Sequence, residues 1–520
     1  MGKVEREVWA TKIGLILAMS GNAIGLGNFL RFPGRVALYG GGAYLIPYFI
    51  AFFLLGIPLF WLEWAIGRYG GLRGAEWLGP MFYVITRRRL GRRGALIAAA
   101  IGGGLTLAVG LLLDAYYTNL LGWVAYWAAW SVSGKILTIK SMSEAKEVFI
   151  NALANPVYNL VPWIFTLLVL ALIVAPGVRR GIERAVKIMM PTLFILAVIL
   201  LISGFLIGAP IKPEWNSIKG FIWMWTPRFD KLADPAAWLE GTGQIFFTLS
   251  LGIAGIIPTY AAYTRREEDL ALSALTSATL NEVAEVVMGG SIAFTFAYAF
   301  GGPELIALVQ LGKISPFGLA VVAYPAFFGS LGIPGAILAS FWYILLWFAG
   351  VTSAIALVNV VAAIFKDFGL SRAVGSFITI ILLLVFGLPI TYEGMVTGGA
   401  TSYLDFTDFV VGSVLLVVTC FFESVFGGWF IWGAEGLEEI NRGALIRVPA
   451  WVWKYVISII DPIFLLAMIL WLPMTVRVEA IIESSPIGAQ MAMLSSVFTA
   501  LLFIIGAIIG YRVSAKKFPE

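Results

Sequence analysis

Residues 18–33 read AMSGNAIGLGNFLRFP and lie within an apolar segment that is long enough to cross a bilayer. The middle of this segment nevertheless carries three glycines and two asparagines, namely Gly21, Asn22, Gly25, Gly27 and Asn28. Glycine has excess backbone freedom and asparagine competes for backbone hydrogen bonds, so both weaken a helix. Because hydrocarbon offers no water to a free amide or carbonyl, unwound backbone at this depth is tolerated only where it lines a cavity or binds a ligand. The stretch therefore predicts a broken membrane helix with a binding site at the break.

The composition identifies the class of protein. The chain of 520 residues is 60% hydrophobic and only 12% charged, whereas soluble domains are about 45–50% apolar and about 25% charged. We therefore expect one all-α transmembrane domain over residues 1–520, with the lipid bilayer as its surroundings. The charged N-terminus leads directly into the first span, which predicts that there is no cleavable signal peptide.

Two residue counts exclude several kinds of chemistry. The chain has no histidine, which excludes histidine-based triads, histidine zinc sites and histidine proton relays. Cys420 is its only cysteine, so an intrachain disulfide is impossible. No GxxxxGK[ST] phosphate loop occurs. We therefore expect neither an enzyme nor an ATP-driven pump, no organic cofactor and no nucleic-acid partner, the net charge of +5 being explained by loop placement.

Polar punctuation divides the chain into twelve apolar segments, most of them near the roughly 20 residues that a bilayer needs. We expect residues 301–333, which prolines and glycines interrupt, to form a folded external loop with short helices. The twelve segments lie at 13–35, 43–67, 95–130, 160–176, 186–208, 238–262, 272–300, 334–365, 374–391, 403–433, 447–472 and 486–511.

The basic residues predict the orientation. About two thirds of the 35 lysines and arginines fall in one set of loops and at the two termini. Such a bias marks the cytoplasmic side, so both termini are expected there. The run from Arg87 to Arg93 is an orientation signal in the favoured interpretation, and a patch for lipid headgroups in the other.

A second interruption lies in the sixth span, where Thr248, Ser250, Gly252 and Gly255 fall at mid-membrane. Interrupted segments at matching positions in two successive five-span sets indicate an inverted-repeat transporter with its site at the repeat interface. The alternative is that both glycine-rich stretches are packing faces between helices. The repeats would cover approximately 11–235 and 236–434, with two additional helices in 435–520.

Several motifs closely resemble the neurotransmitter:sodium symporter family, in the form of its bacterial leucine transporters. These motifs are REVWATKIGLILAMSGNAIGLGNFLRFP, GGGAYLIPYFIAFFLLGIPLFWLEWAIGRYGG, GQIFFTLSLG, TLNEVAEV, FAGVTSAIA and INRG. The resemblance runs from Arg6 to about Trp453 and keeps the order of the motifs. It implies twelve transmembrane helices in a leucine-transporter-type five-plus-five inverted repeat with broken helices one and six. It also implies a prokaryotic cell membrane, and it leaves open whether the protein forms a homodimer.

The resemblance implies two sodium ions, which are hard cations and prefer oxygen ligands. The first site would consist of Ala23, Asn28, Thr248 and Asn281, completed by the substrate carboxylate. The second site would consist of Gly21, Ile24, Ala349, Thr352 and Ser353. Taken alone, Thr352 and Ser353 also fit ordinary hydroxyls at a helix contact.

The resemblance further implies a zwitterionic amino acid as substrate. Free amides at Leu26 and Gly27 would begin a half-helix whose positive end suits a carboxylate, and Tyr117 would donate to that carboxylate, with Tyr116 as the alternative. The ammonium group would lie among the carbonyls of Ala23, Phe247 and Thr248 and the hydroxyl of Ser250. The side-chain pocket would be lined by Asn22, Leu113, Phe247, Ile253, Ser353 and Leu357.

No residue of the predicted pocket is charged, and a charged side chain buried without a partner is costly, so a neutral and hydrophobic amino acid is expected. The sequence departs from the bacterial leucine transporter near this pocket. One extra residue lies between Ser250 and Tyr260, and either Ile253 or Ala254 stands where that transporter has a phenylalanine. Leu113 replaces a smaller residue.

Charged pairs at the two mouths resemble the gates of the family. Arg31 and Asp408 would form the external pair, with Phe247 as a lid beneath them. Arg6 and Asp367 would close the other mouth, although ends that reach toward the lipid headgroups are an alternative for both. The remaining gate residues would be Trp9, Tyr263 and, on the external side, Gln244.

Glu285 lies four residues after Asn281 and therefore on the same helical face. A carboxylate at this position resembles the chloride-independent prokaryotic form of the family, with proton release on the return step as a further role. A buried, hydrogen-bonded structural acid is the alternative. Glu63 resembles an acid found throughout the family, and we expect it to be structural.

The function expected from this resemblance is sodium-coupled import of a neutral amino acid by alternating access. A bundle of spans one, two, six and seven would rock against the rest. Two other functions use the same scaffold: a cation channel, in which current would far exceed solute flux, and an amino-acid sensor that binds without transport.

Overall fold

The computed structural model describes residues 7–311, 313–430, 434–475 and 478–519, and it is built from helices. Within these ranges the one β-type pairing is an isolated bridge between Gly41 and Pro227. The long helices, counting the halves of broken spans separately, are α1 (Lys12–Ala23), α2 (Gly27–Leu38), α3 (Leu45–Gly71), α4 (Leu78–Val132), α5 (Pro156–Val174), α6 (Val178–Leu206), α7 (Pro235–Thr248), α8 (Ile256–Ala261), α9 (Leu270–Gln310), α10 (Ile333–Asp367), α11 (Arg372–Thr397), α12 (Ser402–Phe430), α13 (Val452–Trp471) and α14 (Gly488–Lys517). Shorter helices lie at Lys135–Thr138, Met142–Ala154, Ser217–Trp225, Phe229–Ala233, Pro316–Gly318, Leu319–Ser330, Ala434–Asn441 and Val478–Glu483.

The first span is broken where the sequence predicts it. α1 begins at a Thr11 cap, whose hydroxyl accepts from the Gly14 amide at 3.0 Å, and it ends at Ala23 because Ile24 is extended. α2 starts at Gly27 and is bent by 48° from α1. A Cβ on Gly25 would lie 2.8 Å from the Tyr117 hydroxyl oxygen, so the break needs a glycine there to approach α4.

The sixth span is broken more widely. α7 begins at an Asp234 cap and ends at Thr248, and α8 resumes only at Ile256. Between them the chain takes left-handed backbone angles at two residues other than glycine, with φ of 57° at Ser250 and 54° at Ala254. Such angles are sparsely populated and persist only where surrounding contacts impose them. The break is therefore held in place by its surroundings.

Ten of the described helices are long and apolar enough to cross a membrane, and the bent first pair makes eleven. The two halves of the sixth span are each too short to be counted in this way. The expected number of twelve spans therefore depends on treating α7 and α8 as one span.

The basic run Arg87–Arg93 is largely helical, whereas the sequence analysis placed these arginines in a loop between spans. α4 consists of two helices that meet at a kink at Gly91, with φ of 64°, so the run lies on both sides of the kink. Arginine is a good helix former, so a basic run does not by itself interrupt a helix. The segment 301–333 has the expected short helices, although α9 continues through a break at Gly302 as far as Gln310.

The helices share one buried core, in which α4 packs against α10 and α14. Contact between α4 and α14 brings the two main chains together, because a Cβ on Gly103 would meet the carbonyl of Gly506. Polar residues are buried beside the two breaks, including Asn22, Asn28 and Thr248. Buried polar groups need partners, so these positions identify the candidate site.

Candidate functional site at the two helix breaks

The two breaks face one small cavity of about 30 Å³. It is lined by Asn22, Ala23, Gly25, Gly27, Asn28, Leu113, Tyr117, Phe247, Thr248, Ser250, Ile253, Ile256, Ser353 and Leu357. Every predicted substrate residue except Leu26 is among them. Leu26 is adjacent to the site, because its amide donates to the Tyr117 hydroxyl oxygen at 3.2 Å. Ile256 was missed by the sequence analysis, although it begins α8 only three residues after Ile253.

Three of the four predicted ligands of the first sodium site form one buried cluster. The Asn28 amide nitrogen lies 2.8 Å from the Asn281 side-chain oxygen and 3.2 Å from the Thr248 hydroxyl. The Asn281 amide nitrogen is 3.0 Å from the same hydroxyl. Ala23, the fourth, lines the adjoining cavity. Side chains from three helices therefore meet at one point, where the Thr248 hydroxyl and the Asn281 side-chain oxygen lie 3.4 Å apart, and such oxygens are the ligands that a hard cation prefers.

Glu285 extends this cluster into a longer polar network. Its carboxylate accepts hydrogen bonds from the Thr248 hydroxyl, from Gln244 at 2.9 Å and from Tyr48 at 3.0 Å. Gln244, predicted as an external gate residue, is fully buried, and its side chain contacts Glu285 of α9. Its gate role stays a prediction.

Glu282 and Tyr48 belong to the same network and were missed by the sequence analysis. The Glu282 carboxylate accepts from the Tyr48 hydroxyl at 2.7 Å and from the Asn281 amide at 3.2 Å. The signal for Glu282 was its place beside Asn281 in the motif TLNEVAEV. Tyr48 had no sequence signal, because an aromatic residue in an apolar span is usually a packing residue.

The predicted second sodium site joins α1 to α10. The Ser353 hydroxyl lies 3.3 Å from the Gly21 carbonyl, 2.9 Å from the Asn22 carbonyl and 3.3 Å from the Ala349 carbonyl. The Thr352 hydroxyl lies 2.9 Å from the Ala349 carbonyl. Ile24, the remaining predicted ligand, is fully buried at the end of α1. The structure thus brings hydroxyl and carbonyl oxygens from both helices together.

Of the two candidate tyrosines, Tyr117 faces the site. Its hydroxyl meets the Leu26 amide in the first break, whereas the Tyr116 hydroxyl donates to Asp408 at 2.6 Å. The Gly25 amide is already bonded to the Asn28 side-chain oxygen at 2.8 Å. A hydroxyl and a backbone amide at the start of α2 are the donors that a carboxylate requires.

The broken sixth span places its own residues in the same cavity. The Ser250 hydroxyl donates to the Asn22 carbonyl at 3.0 Å and so connects the two breaks. Ile253 lines the cavity, while Ala254 faces Gly110 of α4. Ile253 is therefore the residue at the pocket position that the sequence left open between Ile253 and Ala254.

The external charged residues line a second, larger cavity of about 640 Å³. Arg31 lies over the Phe247 ring, 4.8 Å from its centre. Its ion-pair partner is Glu240 at 3.9 Å, which corrects the predicted pairing with Asp408. Asp408 lines the same cavity but is engaged by Tyr116.

Arg35 also forms an ion pair with Glu240, at 3.2 Å. The sequence analysis identified neither Arg35 nor Glu240 as a residue of the external site. No pattern in the sequence distinguishes Glu240 from the other residues of its apolar segment. Phe247 lines both cavities, so its ring forms the wall between them, as expected for a lid.

The opposite mouth is closed by packing and by ion pairs. The Trp9 indole donates to the Tyr260 carbonyl at 2.9 Å, and the Trp9 amide donates to the Tyr263 carbonyl at 3.1 Å. The nearest ion pair joins Glu7 and Arg372 at 2.6 Å, and Arg372 also donates to the Tyr263 hydroxyl at 3.2 Å.

Arg6, the predicted partner of Asp367, lies outside the described residues. Asp367 itself accepts from the Trp77 indole at 2.9 Å and pairs with Lys517. Among the described residues, Asp367 therefore ties α10 to α4 and α14.

Known proteins resemble this chain over most of its length. A model of the Sodium:neurotransmitter symporter family matches residues 6–137 and 149–510. An uncharacterized sodium-dependent transporter of Methanocaldococcus jannaschii, MJ1319, is 30% identical over 90% of this chain and 91% of its own length. The mouse sodium-dependent neutral amino acid transporter SLC6A17 is 31% identical over 53% of this chain and 39% of its own length. The structure of MhsT in complex with L-phenylalanine superposes with a TM-score of 0.74 at 28% identity, covering 89% of this chain and 99% of that one.

Proposed function

Because this chain belongs to the sodium:neurotransmitter symporter family, whose members are transporters and not enzymes, we propose that it imports a neutral, hydrophobic amino acid together with sodium. The main observation in support of this proposal is that both helix breaks face one buried cavity. Backbone amides, carbonyls and small polar side chains meet there, and no charged side chain lines it. These groups include the ligand types that an ion and a zwitterion both require.

Two sodium ions are proposed, one at each of two sites. The first would be held by Asn28, Thr248 and Asn281, with the Ala23 carbonyl and the substrate carboxylate as its remaining ligands. Its support is the polar cluster, whose members are 2.8–3.4 Å apart. Because the substrate would supply one ligand, sodium and substrate would each raise the affinity for the other.

The second sodium would be held by Gly21, Ile24, Ala349, Thr352 and Ser353. Support comes from the close approach of the Ser353 hydroxyl to carbonyls on α1 and α10. An ion at this place would join α1 to α10 more firmly than a single hydroxyl does.

Substrate recognition would divide between the two ends of the cavity. The carboxylate would take the donors of Tyr117, Leu26 and Gly27, and the ammonium would take carbonyls at the sixth-span break, with Ser250 nearby. Leu113, Ile253 and Leu357 are apolar and would surround the side chain. MhsT, a family member of known structure, was solved with L-phenylalanine, which supports a hydrophobic amino acid.

Transport would follow alternating access, with the external cavity of about 640 Å³ as the approach and Phe247 as the lid. Each sodium that moves down about 100 mV releases about 2.3 kcal/mol, and each tenfold gradient adds about 1.4 kcal/mol. Two ions then supply about 7 kcal/mol, which is sufficient for strong accumulation of a neutral solute without ATP.

The remaining features of the architecture are proposed on the same basis. Twelve spans would result from counting α7 and α8 as one, with repeats at 11–235 and 236–434 and two further helices in 435–520. The basic bias supports cytoplasmic termini in a prokaryotic cell membrane. Glu285 is proposed to supply the negative charge beside the first sodium, with proton release on the return step.

The test is uptake by the purified full chain in proteoliposomes. Labelled L-leucine and L-phenylalanine should accumulate when an inward sodium gradient is imposed, and a potassium gradient should give none. A competition panel of neutral and charged amino acids would identify the substrate. Equal uptake without sodium would contradict the proposal, as would binding without uptake or ionic current far above solute flux.

A further inference from the structure

Two buried carboxyl groups and one thiol meet outside the proposed transport site, and a third buried carboxyl group lies near the thiol. Glu63 lies on α3, Cys420 and Glu423 lie on α12, and Asp461 lies on α13, each at most 1% exposed. Ligand atoms of Glu63, Cys420 and Glu423 all lie within 4.8 Å of one another. Asp461 is close enough to act electrostatically on the Cys420 thiol.

These acids lack the partners that buried carboxylates require. One oxygen of Glu63 accepts from the Gly252 amide at 2.8 Å. The other oxygen of Glu63, both oxygens of Glu423 and both oxygens of Asp461 are buried without a hydrogen bond. In the described part of the chain, no lysine or arginine forms an ion pair with any of the three.

Two carboxylates in contact in a low-dielectric interior do not both remain ionised. An oxygen of Glu63 and an oxygen of Glu423 lie within 4.8 Å of each other. A protonated carboxyl is a donor as well as an acceptor, so one proton converts two unsatisfied acceptors into a hydrogen-bonded pair.

We propose that Glu63 and Glu423 form a proton-binding site, in which Glu423 carries the proton and donates it to the free oxygen of Glu63. The other oxygen of Glu63 continues to accept from Gly252. The pair then carries one negative charge instead of two. Cys420 faces the pair and Asp461 lies near Cys420, and both are neutral in this arrangement because each is buried without a countercharge.

The site is tied to the break in the sixth span. Gly252 lies in that break with φ of 67°. Its backbone amide donates a hydrogen bond to the Glu63 carboxylate. Removing the proton would place a second negative charge beside unwound backbone. Because the native state would hold a proton that the unfolded chain has released, its stability should fall as the pH rises.

A metal ion is the competing occupant, since two carboxylates and a thiolate suit zinc. The contact between the two carboxyl groups favours the proton, because it needs no further ligand. None of the four side chains lines the two cavities described above, so a hydrated ion has no access through them.

The test is thermal unfolding of the purified full chain in detergent from neutral to alkaline pH. The midpoint temperature of unfolding of the parent protein should fall as the pH rises. Glu423→Gln should keep the unfolding temperature of the parent at neutral pH and should have a smaller alkaline fall, because its amide donates the same hydrogen bond and has no proton to release. Glu423→Ala should unfold at a lower temperature at every pH.

Glu393→Gln is the matched control, because Glu393 is a buried acid whose oxygens accept from Ser402 and from the Tyr403 amide. Its alkaline slope should equal that of the parent. Infrared spectra provide a second readout: the protonated-carboxyl band of the parent should be weaker in Glu423→Gln by the contribution of one carboxyl group, while the band of Asp461 remains. An unchanged alkaline slope in Glu423→Gln would overturn the proposal. So would stabilisation by zinc chloride that Cys420→Ala abolishes.

Discussion

At the scale of single residues, the two adjacent tyrosines on α4 have different environments. Tyr117 meets the Leu26 amide at the first break, and Tyr116 donates to Asp408 at the external cavity. One helical step of 100° therefore separates a residue of the inner chamber from a residue of its approach. The chain offers a matched pair of variants for the proposed carboxylate contact.

Tyr117→Phe is expected to weaken amino-acid binding by about 10-fold or more, because a hydrogen bond to a charged group contributes about 1.5–3 kcal/mol. Sodium binding measured without substrate should change little. Tyr116→Phe removes the same atom one residue earlier and should leave substrate affinity near that of the parent. Scintillation-proximity binding with labelled leucine measures both, and equal losses in the two variants would contradict the assignment.

At the scale of elements, both helix breaks were predictable from their glycines, asparagines and small polar residues, because such residues disfavour helix in hydrocarbon. The ion-pair partner of Arg31 was not predictable. Glu240 and Asp408 are far apart in sequence, and only the packing of α7 and α12 decides which of them Arg31 reaches. The helical course of the basic run before Gly91 was missed because charge was read as a loop signal.

The break in the sixth span should depend on Gly252. A Cβ there would meet the Leu416 carbonyl and the Cys420 sulfur, and the positive φ would add about 1–2 kcal/mol. Gly252→Ala should therefore lower the unfolding midpoint clearly and reduce uptake. Gly134→Ala is the control, since Gly134 has φ of 76° but nothing within 4 Å of a Cβ. Equal shifts of the midpoint in the two variants would show that crowding at Gly252 is absent.

At the scale of the whole molecule, the two proposed sodium sites connect different bodies. The first lies within a network that joins α2, α3, α7 and α9 through Asn28, Tyr48, Thr248 and Glu285. The second joins α1 to α10 through Ser353. The four helices of the first network, α2, α3, α7 and α9, belong to spans one, two, six and seven. These four spans form the bundle that is predicted to rock. The first site is thus internal to that bundle, and the second bridges it to the rest.

Thr352→Ala is expected to lower sodium affinity several-fold and to favour opening of the mouth closed by Trp9. The opening would be read in a Cys420→Ser background, as faster sodium-sensitive labelling of Ser277→Cys, which lies between α1 and α9. Thr379→Ala is the control, because the Thr379 hydroxyl is buried and bonded to the Gly375 carbonyl of its own helix at 2.8 Å. Unchanged sodium affinity in Thr352→Ala would show that the second site is wrongly assigned.

Phe247 lines both the external cavity and the inner chamber, and this makes entry from the external side faster than passage through the inner side. From the external cavity the obstacle is a single aromatic ring, which clears by turning about its own side-chain bonds. Toward the other face the obstacle is whole helices fastened by Trp9, Tyr260, Tyr263 and Arg372. Side-chain rotations are orders of magnitude faster than collective helix motions. A solute would therefore exchange many times with the external solution before one passage across, and turnover would be governed by the inner face.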